Sequence, residues 1–262
     1  MVYAYDNLIC SFENNIMLIK INRPAVLNAL NSAVFEDLYS VFQQMKEDDD
    51  VRVVILTGTG DKSFAAGSDV SEMSACNLID GRKFALGVNR AQQAIANFPR
   101  PTIVAINGFA FGGGLEVAMC CDIRIASQAA KMANPEINVG LIPGGGGTQR
   151  LARMVGSGMA KEIIFTCQTI NAETALRIGL VNRVVSPEKL LDEALEMAKT
   201  IASKSPVLMT LAKQAINIGQ DLDLENALKV EVELFAQCFG TEDGKEGLSA
   251  FVEKRKPVIK GR

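Results

Sequence analysis

The sequence predicts an α/β protein with parallel strand pairing and a helical C-terminal region. Two predominantly apolar strand patterns, Val53–Thr57 and Thr102–Ile106, each follow a segment in which apolar residues recur at helical spacing. This alternation is typical of parallel pairing, because the chain must cross over before it re-enters a sheet in the same direction. After about Ser157 helical patterns dominate, so the last third of the chain is predicted to be mainly helical, unlike the rest.

The elements that this fold needs follow one another along the chain. Two β-rich runs flank the polar triplet 13–15 and predict an antiparallel hairpin. The following segments alternate between helical and strand patterns. In order, the predicted elements are Asn7–Phe12 and Ile16–Ile21 for the hairpin, a helix from Ser32 to Met45, Val53–Thr57, a helix over Arg82–Phe98, Thr102–Ile106, a short helix after Gly114, and the strand Asp122–Ser127.

Four amphipathic patterns complete the chain, interrupted near Pro206, Gly219 and Gly240. They predict helices over Leu190–Ala202, Val207–Ile218, Leu224–Phe239 and Gly244–Lys254. We place a soft boundary near Ser205, which separates a core (residues 1–205) from a helical region (residues 206–262). Because no long linker joins the two, the helical region is expected to pack on the core or on a neighbouring subunit.

The composition disfavours several classes of function. A net charge of -3 and a pI near 5.3 argue against general nucleic-acid binding, which needs a concentrated basic surface. Apolar stretches are only a few residues long and the N-terminus lacks a basic-then-apolar signal pattern, so we expect a cytoplasmic protein without a membrane partner. The six cysteines show no CxxC spacing and are expected to be reduced thiols.

The chain contains no histidine, which narrows its chemistry further. Common zinc geometries and Ser-His or Cys-His nucleophile pairs are unavailable, and we expect no metal site. Carboxylates are then the best acid/base groups. Glu116 and Glu136 are the candidate acid/base groups, because each stands in a glycine-rich segment, NGFAFGGGLE and NPEINVGLIPGGGGTQR respectively.

Glu116 lies where the strand 102–106 turns into a short helix. Glycines without a Cβ let a ligand approach the main chain, and N–H groups at a helix start can bind a developing oxyanion. A tight structural turn, with Glu116 as a first-turn charge, is the simpler interpretation of this segment taken alone.

A dinucleotide site is the rival interpretation of this turn, because its glycines follow a strand with the spacing GxxxGxG from Gly108. Such a unit should stand near the N-terminus and have an acidic residue after the next strand, where this chain has Ser127 and Gln128. A short-chain reductase would also need a YxxxK pair, and none of the three tyrosines begins one. The sequence therefore disfavours a nicotinamide cofactor.

Glu136 follows a proline in the second segment, so a polar side chain is presented on a stiff turn. A surface glutamate is the default interpretation. Beside Glu116 in a shielded pocket, however, the two carboxylates would repel, so that one could hold a proton while the other accepts one. A third segment, Lys62–Met73, either lets a ligand lie along its small residues or is a loop in which Asp69 or Ser71 caps the next helix.

Six collinear motifs give the chain a resemblance to the crotonase, or enoyl-CoA hydratase, superfamily, closest to the short-chain enoyl-CoA hydratases. They are INRPAVLNALN, KSFAAGSDVSEM, NGFAFGGGLEVAMCCDIRIAS, NPEINVGLIPGGGGTQRL, ALRIGLVNRVV and EGLSAFVEKRK. The resemblance implies a spiral core of repeated ββα units with a helical C-terminal trimerisation region, in trimers that often pair into hexamers. It also implies an acyl-CoA thioester as substrate, with no cofactor beyond the coenzyme A that the substrate carries, and a role in fatty acid β-oxidation.

The same resemblance assigns roles to the glycine-rich segments. Glu116 and Glu136 match the two catalytic glutamates of the family, which hold one water between them. The backbone N–H groups of Ser68 and Gly113 match the oxyanion hole that binds the thioester carbonyl. The implied reaction is reversible syn addition of water to a trans-2-enoyl-CoA.

Coenzyme A is implied to lie along the backbone of Ala66, Gly67 and Ser68. Phe251 and Lys254 match family positions that reach the nucleotide end from a neighbouring subunit, and Lys254 could attract the phosphates. Ser68 stands where alanine is usual in the family, which leaves the backbone donor intact and adds a hydroxyl.

Residues 132–134 also depart from the family pattern, so the resemblance supports hydration more strongly than any acyl chain length. Relatives that share the fold and oxyanion hole remain alternatives: an enoyl-CoA isomerase, a cyclic dienoyl-CoA hydratase or an acyl-CoA hydrolase. A nonenzymatic binding or assembly protein on the same fold is the second alternative, and the intact pair of glutamates argues against it.

Overall fold

The computed structural model describes residues 3–262, and within that range the strands form two sheets. The strands are Leu8–Glu13 (β1), Ile16–Ile21 (β2), Val53–Gly58 (β3), Ser63–Ala65 (β4), Thr102–Ile106 (β5), Phe109–Phe111 (β6), Ile123–Ser127 (β7), Lys131–Ala133 (β8), Ile170–Asn171 (β9) and Arg183–Val185 (β10). The larger sheet has the order β1-β2-β3-β5-β7-β10, and the smaller has the order β4-β6-β8-β9.

The helices follow the predicted alternation and dominate the second half of the chain. They are Ser32–Lys46 (α1), Val70–Met73 (α2), Leu78–Ala96 (α3), Gly113–Ala118 (α4), Gly147–Val155 (α5), Ser157–Thr166 (α6), Ala172–Arg177 (α7), Leu190–Ala202 (α8), Pro206–Gly219 (α9), Leu224–Cys238 (α10) and Glu242–Val252 (α11). Within residues 3–262, no helix is long and apolar enough to cross a membrane.

The core is a spiral in which each turn contributes one strand to each sheet and then a helix. The units β3-β4-α3, β5-β6-α4 and β7-β8-α5 repeat this plan, so the ββα spiral is confirmed. Strands β2, β3, β5, β7 and β10 pair in parallel, as the alternation of strands and helices predicts. Strands β4, β6 and β8 also pair in parallel. The connections that follow these three strands therefore leave the smaller sheet at the same edge.

The N-terminal hairpin is antiparallel, with Leu8 opposite Ile21 and Glu13 opposite Ile16. Its two loop residues, Asn14 and Asn15, have φ values of 51° and 63°. Asparagine tolerates this left-handed conformation, which matches the twist of a two-residue hairpin loop. The predicted hairpin is therefore confirmed, and β1 forms an edge of the larger sheet.

Helices cover both faces of the larger sheet. On one face, α1 and α3 contribute to the main core, where the rings of Phe42 and Phe98 meet edge to face at 5.3 Å. On the other face, α8 buries Leu190, Ala194 and Ala198 against apolar side chains of β3 and β5. Burial on both faces explains why these strands read as apolar runs rather than as alternating patterns.

The C-terminal helices α9 and α10 pack against each other, yet neither buries a residue within this single chain. Apolar side chains of α10 stay exposed, among them Leu224, Val232 and Phe235. The proposed division into residues 1–205 and 206–262 stays a prediction, and Met1 and Val2 of the first part lie outside the described residues.

Candidate active site

The turn from β6 into α4 depends on three consecutive glycines. Gly112 has a φ of +48°, which favours glycine, and a Cβ on it would lie 3.1 Å from Oε1 of Glu136. A Cβ on Gly114 would lie only 2.1 Å from the carbonyl oxygen of Ala65 in β4. These positions let α4 begin directly against the smaller sheet, so all six of its residues, including Glu116, are buried.

The segment 66–68 lies beside the start of α4 and is held by backbone hydrogen bonds. Leu30 N donates to Gly67 O at 2.8 Å, and Asp69 N donates to Leu30 O at 2.9 Å. A Cβ on Gly113 would lie 3.4 Å from Ser68 N and 2.6 Å from its Oγ, so the two backbones are direct neighbours. Within residues 3–262 the N–H groups of Ser68 and Gly113 have no hydrogen-bond acceptor. Two adjacent free N–H groups at a helix start can bind an anionic oxygen.

Glu116 is 3% exposed, and one of its oxygens is firmly held. Oε1 accepts hydrogen bonds from Gly147 N at 2.8 Å and from Gly145 N at 2.9 Å. Burial is the main cause that raises the pKa of Glu116 to about 7; the N–H groups oppose this shift and the charge of Glu136 adds to it. A carboxyl with such a pKa can exchange protons near neutral pH.

Glu136 opens a short 3-10 turn after Pro135, and its carboxyl lies against Gly112. Oε1 accepts a hydrogen bond from Asn134 Nδ2 at 3.3 Å, whereas the buried Oε2 has no partner among the described residues. Burial raises the pKa of Glu136 as well. The two glutamates are thus both desolvated, and in each the Oε2 atom has no hydrogen-bond donor among the described residues.

Both glutamates line one cavity of about 520 Å³. The structure brings six of the predicted site residues together in its wall: Ala66, Gly67, Ser68, Gly113, Glu116 and Glu136. The remainder of the wall is largely apolar and includes Leu78, Phe84 and Val88 from α3 as well as Leu141 and Ile142. Such a cavity suits a mostly apolar group with one polarised end.

Phe251 and Lys254 do not line this cavity. They lie at the C-terminal end of α11 and just beyond it, and Phe251 is 84% exposed. Their contact with coenzyme A in a neighbouring subunit stays a prediction. Of the two caps considered for α2, Asp69 occupies the N-cap position but makes no capping hydrogen bond, and its carboxylate accepts one from Ser71 Oγ instead.

Several residues of the site were missed by sequence reasoning. Gly145 and Gly147 donate to Glu116 from a point 29 and 31 residues further along the chain. The run of glycines at 144–147 is visible in the sequence, but nothing in the sequence shows that it contacts Glu116. Asn134 differs from the family pattern, but the sequence does not show that it binds Glu136. The apolar residues of α3 that line the cavity have only the helical spacing of any buried helix face.

Comparisons with known proteins agree with this geometry. The family model described as Enoyl-CoA hydratase/isomerase matches residues 11–262. A short-chain-enoyl-CoA hydratase from Clostridium acetobutylicum is 51% identical over 96% of each chain, and a crotonyl-CoA hydratase from Syntrophomonas wolfei is 45% identical over 97% of each. The crystal structure of an enoyl-CoA hydratase from Bacillus anthracis superposes with a TM-score of 0.94 at 40% identity, covering 98% of this chain and 100% of that one. The chain belongs to the enoyl-CoA hydratase/isomerase family.

Proposed function

We propose that the chain is a short-chain enoyl-CoA hydratase, a hydro-lyase that adds water reversibly to trans-2-enoyl-CoA and forms 3-hydroxyacyl-CoA. The observation that carries the proposal is the presence of a buried glutamate, Glu116, and a half-buried one, Glu136, in one cavity with a pair of free N–H groups. Relatives at 45–51% identity that are named as short-chain or crotonyl-CoA hydratases support crotonyl-CoA as the substrate.

The thioester carbonyl binds at the N–H groups of Ser68 and Gly113. Both donors sit on rigid backbone, at a strand-like bridge and at the start of α4, and so need no reorganisation during the reaction. They stabilise the negative charge that develops on the oxygen as water attacks C3. Polarisation of the carbonyl makes C3 electrophilic and stabilises the enolate at C2.

Water is added by the two glutamates acting from one side of the double bond. Glu116 Oε2 accepts a proton from the water while the water oxygen forms a bond to C3. Glu136 delivers its proton to C2, so the π bond is replaced by one C–O and one C–H bond on the same face. A proton passed from Glu116 to Glu136 then restores the starting state.

The unequal hydrogen bonding of the two carboxyls supports this division of roles. Glu116 receives two backbone N–H donors, which favour its ionised form as the base. Glu136 receives one longer bond from the neutral amide of Asn134, and burial raises the pKa of both carboxyls, so each holds a proton more readily than an exposed glutamate does. One proton shared by two desolvated carboxyls fits a reaction that moves one proton in each direction.

Coenzyme A runs along the backbone of residues 66–68, with the nucleotide end completed by Phe251 and Lys254 of a neighbouring subunit. We infer a homotrimer or a hexamer of paired trimers. The exposed apolar side chains of α10 support assembly, because an unpartnered apolar face of this kind usually marks an interface. A cytoplasmic location and the absence of a separate cofactor belong to the same proposal.

The direct test is turnover of crotonyl-CoA by the purified protein, followed as loss of the conjugated enoyl absorbance. We expect rapid loss with formation of 3-hydroxybutyryl-CoA and no release of free thiol. Thiol release would favour a hydrolase, and a shifted double bond without hydration would favour an isomerase. Hydration of a cyclic dienoyl-CoA but of no linear enoyl-CoA would overturn the substrate assignment.

Replacing Ser68 by alanine tests whether the oxyanion donor is the backbone. Ser68→Ala keeps the N–H and removes only the hydroxyl, so we expect kcat for crotonyl-CoA to change by less than about tenfold, the effect of one ordinary hydrogen bond. Loss of a true oxyanion donor costs about 10²- to 10³-fold. A loss of that larger size in Ser68→Ala would show that the hydroxyl itself binds the carbonyl.

A further inference from the structure

Gln92 is a buried amide that the mechanism above does not use. It lies on the inner face of α3, between Val88 and Ile95, and is 0% exposed. Its Nε2 has no hydrogen-bond partner among the described residues. An unpaired donor in such a place destabilises the fold, so its presence needs another reason.

Arg150 determines which way this amide points. Nη1 of Arg150 donates to Gln92 Oε1 at 3.3 Å and to Gly145 O at 3.1 Å. Because the guanidinium is only a donor, the amide oxygen must face it and the amide nitrogen must face the other way. The orientation of Gln92 is therefore set by its surroundings.

The free nitrogen of Gln92 faces the free oxygen of Glu116. A Cβ on Gly145 would lie 2.5 Å from Gln92 Nε2 and 2.4 Å from Glu116 Oε2, so these two atoms flank the same small volume. The other oxygen of Glu116 is already bound by the N–H groups of Gly145 and Gly147. Because residue 145 is a glycine, no Cβ occupies this volume beside the amide nitrogen and the reactive carboxylate oxygen.

We propose that Gln92 is a positioning residue that donates a hydrogen bond to Glu116 Oε2 during the reaction and stabilises the carboxylate as the base. The inference rests on the proposed hydration. In this inference, Gln92 orients Glu116 Oε2, the oxygen that receives the proton of water. Arg150 in turn holds the amide of Gln92 in place. A short side-chain rotation into the volume beside Gly145 completes the contact.

Other ionisable groups also face Glu116. Glu136 raises its pKa and Arg150 lowers it, while the backbone oxygen of Glu116 accepts a bond from the thiol of Cys120, whose own pKa burial raises to about 12. A substitution at Gln92 leaves Glu136 and Cys120 in place, whereas Arg150 loses its acceptor on residue 92 in Gln92→Met and keeps an acceptor in Gln92→Glu. Loss of the amide donor should therefore raise the pKa of Glu116, because a donor to a carboxylate stabilises its ionised form.

The test compares Gln92→Met and Gln92→Glu, which retain the length of the side chain, with Gln93→Met on the exposed side of the same helix. In crotonyl-CoA hydration we expect the acidic limb of the kcat–pH profile to move up by about one pH unit in Gln92→Met, the size of one charged hydrogen bond. The limb should move further in Gln92→Glu, where a carboxylate replaces the donor. KM and the high-pH plateau should stay near the wild-type values, and Gln93→Met should match wild type.

An unmoved limb in both Gln92 variants, or a uniform loss of kcat across pH, would overturn the inference. Carbon-13 NMR of glutamate-labelled protein, with Glu116 assigned by Glu116→Gln, follows the same titration without substrate. If wild type fails to hydrate any enoyl-CoA, the proposed function fails, yet the NMR titration still decides whether Gln92 controls Glu116. We expect the same order of pKa, wild type below Gln92→Met below Gln92→Glu.

Discussion

Glu116→Gln is expected to lower kcat for crotonyl-CoA hydration by about 10²- to 10⁴-fold, the usual effect of losing a general base. Glutamine keeps an oxygen for the N–H groups of Gly145 and Gly147, so the loop around it should remain in place. KM should change little, because the thioester is held elsewhere in the cavity. Stopped-flow and end-point assays of enoyl absorbance measure the loss.

The same substitution should stabilise the protein at alkaline pH. The folded pKa of Glu116 is about 7, against an ordinary 4.5, so the folded state holds a proton that the unfolded state has released. Stability therefore falls as pH rises from 4.5 to 7, by on the order of 2 to 3 kcal/mol. Glutamine cannot ionise and avoids this cost.

Thermal melts of wild type and Glu116→Gln at pH 4.5 and pH 8 measure this difference. The variant should gain melting temperature relative to wild type as pH rises, whereas a matched Glu231→Gln at an exposed position of α10 should not. An equal change at both pH values would contradict the raised pKa. Gain of stability with loss of activity is expected where a buried carboxyl is kept for catalysis.

Glu136→Gln should lower kcat about as strongly, by roughly 10²- to 10⁴-fold, because glutamine cannot deliver a proton to C2. Its specific signature is the exchange of the C2 hydrogen of butyryl-CoA in heavy water. This reaction needs the oxyanion donors and the C2 acid but no attacking water. Proton NMR should show exchange in wild type and in Glu116→Gln, and none in Glu136→Gln. The opposite pattern would exchange the roles of the two glutamates.

Periodic elements were predictable from the sequence because their physical cause is local. The strand Thr102–Ile106 and the helix Leu190–Ala202 have the predicted bounds, and the hairpin and the other long helices agree to within a few residues. The short strands of the smaller sheet, such as β4 and β6, were not predicted. Three residues are too few to show a period, and their pairing is decided by the stacking of the spiral.

The catalytic pair was predictable, but its surroundings were not. Glu116 and Glu136 stand in segments that the resemblance assigns, and the structure brings both to one cavity. The contacts that set their proton affinities involve residues far away along the chain. Gln92 meets Arg150 across 58 residues, and nothing in the helical pattern of α3 distinguishes a buried glutamine from an exposed one.

The double variant Glu116→Gln/Glu136→Gln provides the most direct test that the two glutamates act as one unit around a single water. Turnover of crotonyl-CoA by the double variant should be about as slow as that of the slower single variant. If the two glutamates act together, removing one already abolishes their joint contribution, so removing the second lowers kcat little further. Independent contributions would instead multiply, giving roughly the product of the two single losses. A multiplicative loss would contradict the shared water.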